Sequence, residues 1–210
     1  MANEGIFVYG AGGHGRVVVD TLSNSKAGYR VSVVVDDDVK LHGEKLLGNV
    51  IRRRDAIVGE RGLVAIGENA ARLRIAEQFR GRLVSLVHRT AFVARDVPIG
   101  EGSVLMAHTV VTVGAQIGES VIVNTGATID HDCRIGDGAH IAPGCHLCGS
   151  VEVGVGAFLG VGCLVVPGVR IGRNAFICAG QTVTRDVPDG ARVRGEKGAG
   201  SAKVSEGRKA

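Results

Sequence analysis

From Val87 to Val183 every sixth residue is aliphatic, seventeen positions in a row without a miss. If roughly a quarter of residues are aliphatic, chance would produce such a run on the order of once in ten billion trials. A period of six suits neither the 3.6-residue turn of an α-helix nor the two-residue alternation of a strand. It is a known β-helix repeat, in which each hexad supplies a short strand and a bend.

Three hexads close one coil, so seventeen hexads predict five to six coils. The aliphatic residue points inward. A small residue four positions later (Ser103, Thr109, Ala115, Ala127, Cys133, Ala139, Cys145, Ala157, Cys163, Ala175) points inward near the bend, where a larger side chain would collide. Stacked coils satisfy each other's backbone hydrogen bonds, and residues eighteen apart lie above one another. Cys145 and Cys163 therefore share an inward column, and His140, Phe158 and Phe176 an outward one.

Composition fits this architecture. The 210 residues include 33 Gly, no Trp and only five Phe and two Tyr, which suits tight bends and a narrow core. The net charge of +4 lies at the C-terminus: residues 192–210 carry six Lys/Arg and two Glu, so residues 1–191 sum to zero. A basic tail confined to one end reads as a solvated terminus and argues against nucleic-acid binding. No apolar run is long enough to span a membrane, and no signal-peptide pattern opens the chain. Five cysteines, mostly at the small inward positions, read as reduced thiols of a cytoplasmic protein. Cys145-x2-Cys148 has no second pair, so no metal site is expected.

Residues 1–86 alternate differently. Ile6–Tyr9 is a buried strand that enters Gly10-Ala11-Gly12-Gly13-His14-Gly15 and a helix from Arg16 to about Ser25. Val31–Val35 is a second strand ending in Asp36-Asp37-Asp38. Leu63–Ile66 is a third, followed by Gly67-Glu68-Asn69 and a helix over Ala70–Phe79. This order predicts a small three-layer parallel sheet, with Leu83–Val87 adding a strand that leads into the coils. Gly10-x-Gly12-x-x-Gly15 with Asp36 beyond it matches a dinucleotide fingerprint: glycines admit a diphosphate and the helix N-terminus favours it. About 85 residues accommodate only one mononucleotide half, so a nucleotide sugar is the natural ligand; a tight turn with no ligand is the plain alternative.

The Gly-Ala-Gly-Gly-His-Gly turn, Val-Asp-Asp-Asp, Ile-Gly-Glu-Asn, the hexads and Ile129-Asp130-His131-Asp132-Cys133 together resemble the sialic acid O-acetyltransferase type of sugar O- and N-acetyltransferases. Its N-acetylating members modify UDP-4-amino-4,6-dideoxy sugars of the bacillosamine pathway or GDP-perosamine. The resemblance covers about residues 5–190. It implies a Rossmann-like βαβαβ nucleotide-sugar-binding domain over 1–86, a left-handed parallel β-helix over 87–190 and a basic flexible tail over 191–210. It also implies a homotrimer with sites between subunits, and acetyl-CoA as co-substrate. The family's base falls on His131 and the acid that orients it on Asp132, a position that also takes Glu. The acetyl-CoA-contacting histidine falls on His140, with Gly160 and Val161 lining the same groove. The nucleotide-sugar positions fall on Gly12, Gly13, His14, Asp36, Asp37 and Gly67. The family's closing Val-x-Gly-x-Pro-Ala-like segment is replaced here by Val193-Arg194-Gly195-Glu196-Lys197-Gly198.

The residues suit acetyl transfer. A histidine ordinarily titrating near 6.5 is the natural base for an amine at cytoplasmic pH. Either Asp130 or Asp132 could hold the opposite ring nitrogen of His131, and a backbone N–H or His140 could steady the tetrahedral intermediate. No Ser-His-Asp or Cys-His pair is needed, so direct attack is expected. His108 and His146 could line a groove; His42 and His88 belong to surface loops. The expected activity is N-acetylation of a nucleotide-linked amino-deoxy sugar. The alternatives are O-acetylation of sialic acid or another sugar hydroxyl, a non-catalytic nucleotide-sugar-binding β-helix, and a dehydrogenase using the glycine-rich turn.

Overall fold

The computed structural model describes residues 4–25 and 27–194. Most of the expected 191–210 tail, with Gly195 to Gly198 of the altered closing segment, lies outside the described residues.

The N-terminal part is a five-stranded sheet ordered β3-β4-β2-β1-β5, comprising β1 (Glu4–Tyr9), β2 (Tyr29–Val35), β3 (Lys45–Leu46), β4 (Asn49–Arg52) and β5 (Gly62–Val64). Neighbours pair in parallel except β3 with β4, a short hairpin. That hairpin, and the parallel pairing of β4 with β2, are additions to the expected strands. Helix α1 (Gly13–Ser23) begins three residues before the expected start at Arg16, and α2 (Asn69–Glu77) follows β5. Strand alternation divides the apolar residues between two layers. Ile6, Val8, Val34 and Leu63 pack with Val18, Val19 and Leu22 of α1; Phe7, Tyr9, Val35 and Val64 pack with Ile75, Ala76 and Phe79 beside α2.

The hexads form a parallel β-helix of two-residue strands on three faces. The first face stacks seven strands, from Leu86–Val87 through Val104–Leu105, Ile122–Val123, His140–Ile141, Phe158–Leu159 and Phe176–Ile177 to Arg192–Val193. The second stacks six, from Phe92–Val93 to Thr182–Val183. The third stacks four, from Gln116–Ile117 to Arg170–Ile171, extended by single bridges at Ile99 and Val187. From Leu105 to Val183 every aliphatic hexad residue is buried, as are all ten small residues after the bends. The inward thiols serve the coil as donors: Cys145 Sγ reaches Gly160 O at 3.0 Å and Cys163 Sγ reaches Cys178 O at 3.1 Å, each on the next coil. Cys148 is exposed while Cys145 is buried, so the two thiols of the C-x2-C face opposite ways.

The chain crosses between the two parts without a linker. Leu83 forms one parallel bridge with Gly62, and Leu86–Val87 already pairs with Val104–Leu105, so the expected connecting strand belongs to the coils. Leu86, Val104, Met106 and Ile122 share a core with α1 and the sheet, which seats the N-terminal part on the first face. No helix among the described residues is long and apolar enough to cross a membrane.

Candidate functional site

The crevice at the carboxyl ends of β1, β2 and β5 begins with the glycine-rich turn. Two of its glycines are demanded by the chain itself. Gly10 has φ +112° and a Cβ there would lie 2.7 Å from Ala65 O; a Cβ on Gly15 would strike Gly10 O. Gly12 and Gly13 are exposed and a Cβ on either would meet nothing within 4 Å. Gly12 caps α1 without a side-chain bond, so the first amides of the helix face open space, the arrangement that accepts an anion.

Asp36 braces this turn. Its Oδ2 accepts from Ala11 N at 2.7 Å and its Oδ1 from Asp38 N at 2.9 Å. Asp37 accepts from the Tyr9 hydroxyl at 2.6 Å, and burial together with that carboxylate pushes Tyr9 up to about 12. A pocket of about 550 Å3 opens beside the two aspartates, walled by Arg53, Arg54, Phe79 and Arg82.

His14, the second residue of α1, projects from the turn to the domain junction, where a Cβ on Gly67 would touch its side chain. Its ring centre lies 6.3 Å from that of His140, which is only 9% exposed and meets Phe158 edge-on. Burial, with the Arg72 charge behind it, holds both imidazoles down at about 4, so both are neutral at physiological pH. His140 has a defined tautomer. Thr125 N donates to Asn124 Oδ1 at 2.8 Å, which turns the Asn124 amide nitrogen to His140 Nε2 at 3.2 Å. Nε2 accepts, so the proton resides on Nδ1, and the Gly67 backbone acts on this ring as a hydrogen-bond acceptor; His14 Nε2 is buried without a partner. Beyond His140 a cleft of about 500 Å3 continues between Gly67, Asn69 and the stacked pair Phe158–Phe176.

Arg72 and Asn69 build this junction, and neither is among the expected site residues. Arg72 is 1% exposed and uses all five donors. Nε donates to Ser120 O (2.8 Å), Nη1 to Ile66 O (3.0 Å) and Gly67 O (3.2 Å), and Nη2 to Asn69 Oδ1 (2.9 Å) and Gly138 O (2.7 Å). Asn69 Nδ2 donates in turn to Gly156 O at 2.9 Å. The available signal was positional: Arg72 shares the i, i+3, i+4 stripe with Ile75 and Ala76, the buried side of α2.

His131 and Asp132 lie elsewhere, at the bend between the second and third faces. His131 Nδ1 and Asp132 Oδ2 are 2.9 Å apart, with the imidazole side chain 54% exposed. Asp132 occupies the left-handed region (φ +59°), tolerated by Asp, and from there its short side chain reaches the ring. Asp130 instead secures the backbone of the bend, its Oδ1 accepting from His131 N at 2.8 Å and from Thr112 Oγ1 at 3.1 Å. The Asp132 hydrogen bond, followed by the Asp130 charge, raises His131 above the ordinary histidine value. With Nδ1–H directed at Asp132, Nε2 is left as the proton acceptor. Gly160 is buried and Val161 exposed at the bend between the first and second faces.

The expected residues thus form three groups. Gly12, Gly13, His14, Asp36, Asp37 and Gly67 gather at one crevice, and His140 joins them from the coils. His131–Asp132 and Gly160–Val161 stand at the two bends that flank the second face. A larger groove, about 660 Å3, crosses the third face and is lined by Arg134, Glu152 and Arg170, but by none of the expected site residues.

Residues 5–79 match the PglD N-terminal domain, and residues 114–149 the bacterial transferase hexapeptide (six repeats). The chain is similar to PerB from Caulobacter crescentus, solved with CoA and GDP-perosamine: 38% identity, TM-score 0.83, covering 91% of this chain and 94% of that one. The acetyltransferase domain of PglB from Neisseria gonorrhoeae, solved with acetyl coenzyme A, is 34% identical at TM-score 0.84, covering 92% and 97%. UDP-N-acetylbacillosamine N-acetyltransferase of Bacillus subtilis is 34% identical over 113 residues, half of this chain and 52% of that protein's length. On likeness that spans both its domains, the chain belongs to the PglD-type family of hexapeptide-repeat sugar N-acetyltransferases.

Proposed function

We propose that this protein is an acetyl-CoA-dependent N-acetyltransferase acting on the amino group of a nucleotide-linked amino-deoxy sugar. The observation that carries the reading is the His131–Asp132 pair, an accessible imidazole whose acceptor nitrogen is fixed by a carboxylate at 2.9 Å. The open helix N-terminus at Gly12 and Gly13 suits the diphosphate of the sugar nucleotide, with Asp36 bracing the turn and Asp37 beside it. His14 and Gly67 would line the sugar end of that crevice.

In the transfer, the neutral amine attacks the thioester carbonyl. The C–N bond forms as His131 Nε2 takes the amine proton. The C–S bond then breaks, and the departing CoA thiolate takes that proton back. His140 would supply an N–H of the kind that steadies a developing oxyanion, and Gly160 and Val161 would border the CoA groove.

The reading includes a homotrimer. The second face and its flanking bends expose Phe92 (59%), Val161 (56%), Val113 and Leu164, with Thr128 and His146 between Phe92 and Leu164 and His131 at the border. Copies meeting there would set the His131 bend of one against its neighbour. Five free thiols accord with a reducing, cytoplasmic setting.

The test is CoA release from acetyl-CoA with a panel of UDP- and GDP-linked amino sugars, comparing wild type with His131→Ala. Turnover on an amino sugar that falls about 10²–10⁴-fold in the variant is expected. Release only with a hydroxyl acceptor would replace N- by O-acetylation, and silence with both would leave a binding protein.

A further inference from the structure

Gly149 lies one coil above His131, eighteen residues on, and the coils are joined there by Ser150 N donating to His131 O at 2.8 Å. Its φ lies outside the left-handed region, so its backbone is open to any L-residue. What excludes a side chain is the histidine: of the three atoms nearest a Cβ built on Gly149, all belong to the His131 ring, with Nε2 at 2.5 Å and Nδ1 at 3.1 Å. Among the described glycines of the coils, Gly149 alone has neither a left-handed φ nor backbone among those neighbours. Gly136, Gly154, Gly160 and Gly172 serve the stacking of the coils, since a Cβ there would meet the backbone of the next coil.

We propose that Gly149 is a positioning residue: the missing side chain is the seat on which the His131 imidazole lies while Asp132 holds its other edge. The inference rests on His131 being the base. The charged groups acting on the ring are Asp132 and Asp130 of its own bend. The coil above adds Gly149 with exposed Cys148, and the coil below Val113 and Gly114.

Gly149→Ala separates this role from a structural one, because an exposed ring can swing aside and leave the coil intact. Three results are expected: a melting temperature within a few °C of wild type, kcat lowered about tenfold or more, and KM for both substrates within about twofold. Parted from Asp132, the ring titrates at lower pH, so the acid limb of the rate profile and the His131 NMR titration both move down. In a His131→Ala background the same substitution changes nothing further, because there is no ring left to displace. Wild-type kcat with an unmoved titration overturns the proposal. So does an equal loss in the His131→Ala background, or a variant too unstable to fold. The NMR titration needs no substrate, so it reads the seat even if no acetyl acceptor is turned over.

Discussion

His14 and His140 face each other across the domain junction as neutral imidazoles, and the unfolded chain would not keep them so. Both fall to about 4 in the fold against an ordinary value near 6.5. A base depressed in the native state lets the unfolded chain bind more protons in acid. Stability is therefore whole above about pH 6.5 and declines as pH falls through about 4. At 1.36 kcal/mol per unit, each contributes a loss of about 3 kcal/mol by pH 4. Urea unfolding from pH 7 to pH 4.5 should show the decline, and His140→Asn, which removes one titrating group, should flatten it. At this scale the residue types were legible in the sequence and their duties only partly so. The fingerprint glycines look alike on paper, yet Gly10 and Gly15 answer to Ala65 and to each other while Gly12 and Gly13 answer to nothing in the chain. Asp132 was separable from Asp130 only through its left-handed backbone.

At the scale of elements, α2 is the fastening between the two parts. Arg72 satisfies four backbone carbonyls and one amide oxygen, among them Ser120 O and Gly138 O of the coils. Arg72→Met would bury those acceptors unpaired. We expect a loss of about 3 kcal/mol in denaturant unfolding, and Arg72→Lys, lacking the planar fork, should restore only part of it. The hexad strands were legible because each admits one inward aliphatic residue, a steric demand that recurs in every coil. The Lys45–Arg52 hairpin was not, since Lys45-Leu46-Leu47-Gly48-Asn49 is short, half polar and set at a sheet edge. Nor was the fastening, because the partners of Arg72 lie 48 and 66 residues further on.

For the whole molecule, the three faces differ in kind. The early coils of the first are covered by the N-terminal part. The third carries a solvated ladder, with Glu152 between Arg170 at 2.8 Å and Arg134 at 3.9 Å. The second is the uncharged one. If the proposed trimer forms there, Leu164→Glu, on the fifth of that face's six strands, should convert trimers to monomers in sedimentation velocity while leaving the fold intact, and transfer should be lost with assembly. No single chain joins His131 to the crevice by any described hydrogen bond or ring contact, which is why the sequence could name the site's members without arranging them.

The stacked coils also make the molecule a ruler. Each turn of eighteen residues raises the chain by one strand spacing, about 4.8 Å. The height of His131 above the glycine-rich turn is therefore counted in whole coils. Adding or removing eighteen residues between His88 and Asp130 would preserve every inward column and every face, yet carry the histidine a full step away from its working level. The same change beyond Val183 would leave that level untouched. On the proposed reading, the number of coils between the glycine-rich turn and His131 is therefore held by the chemistry, while the coils stacked after it are not.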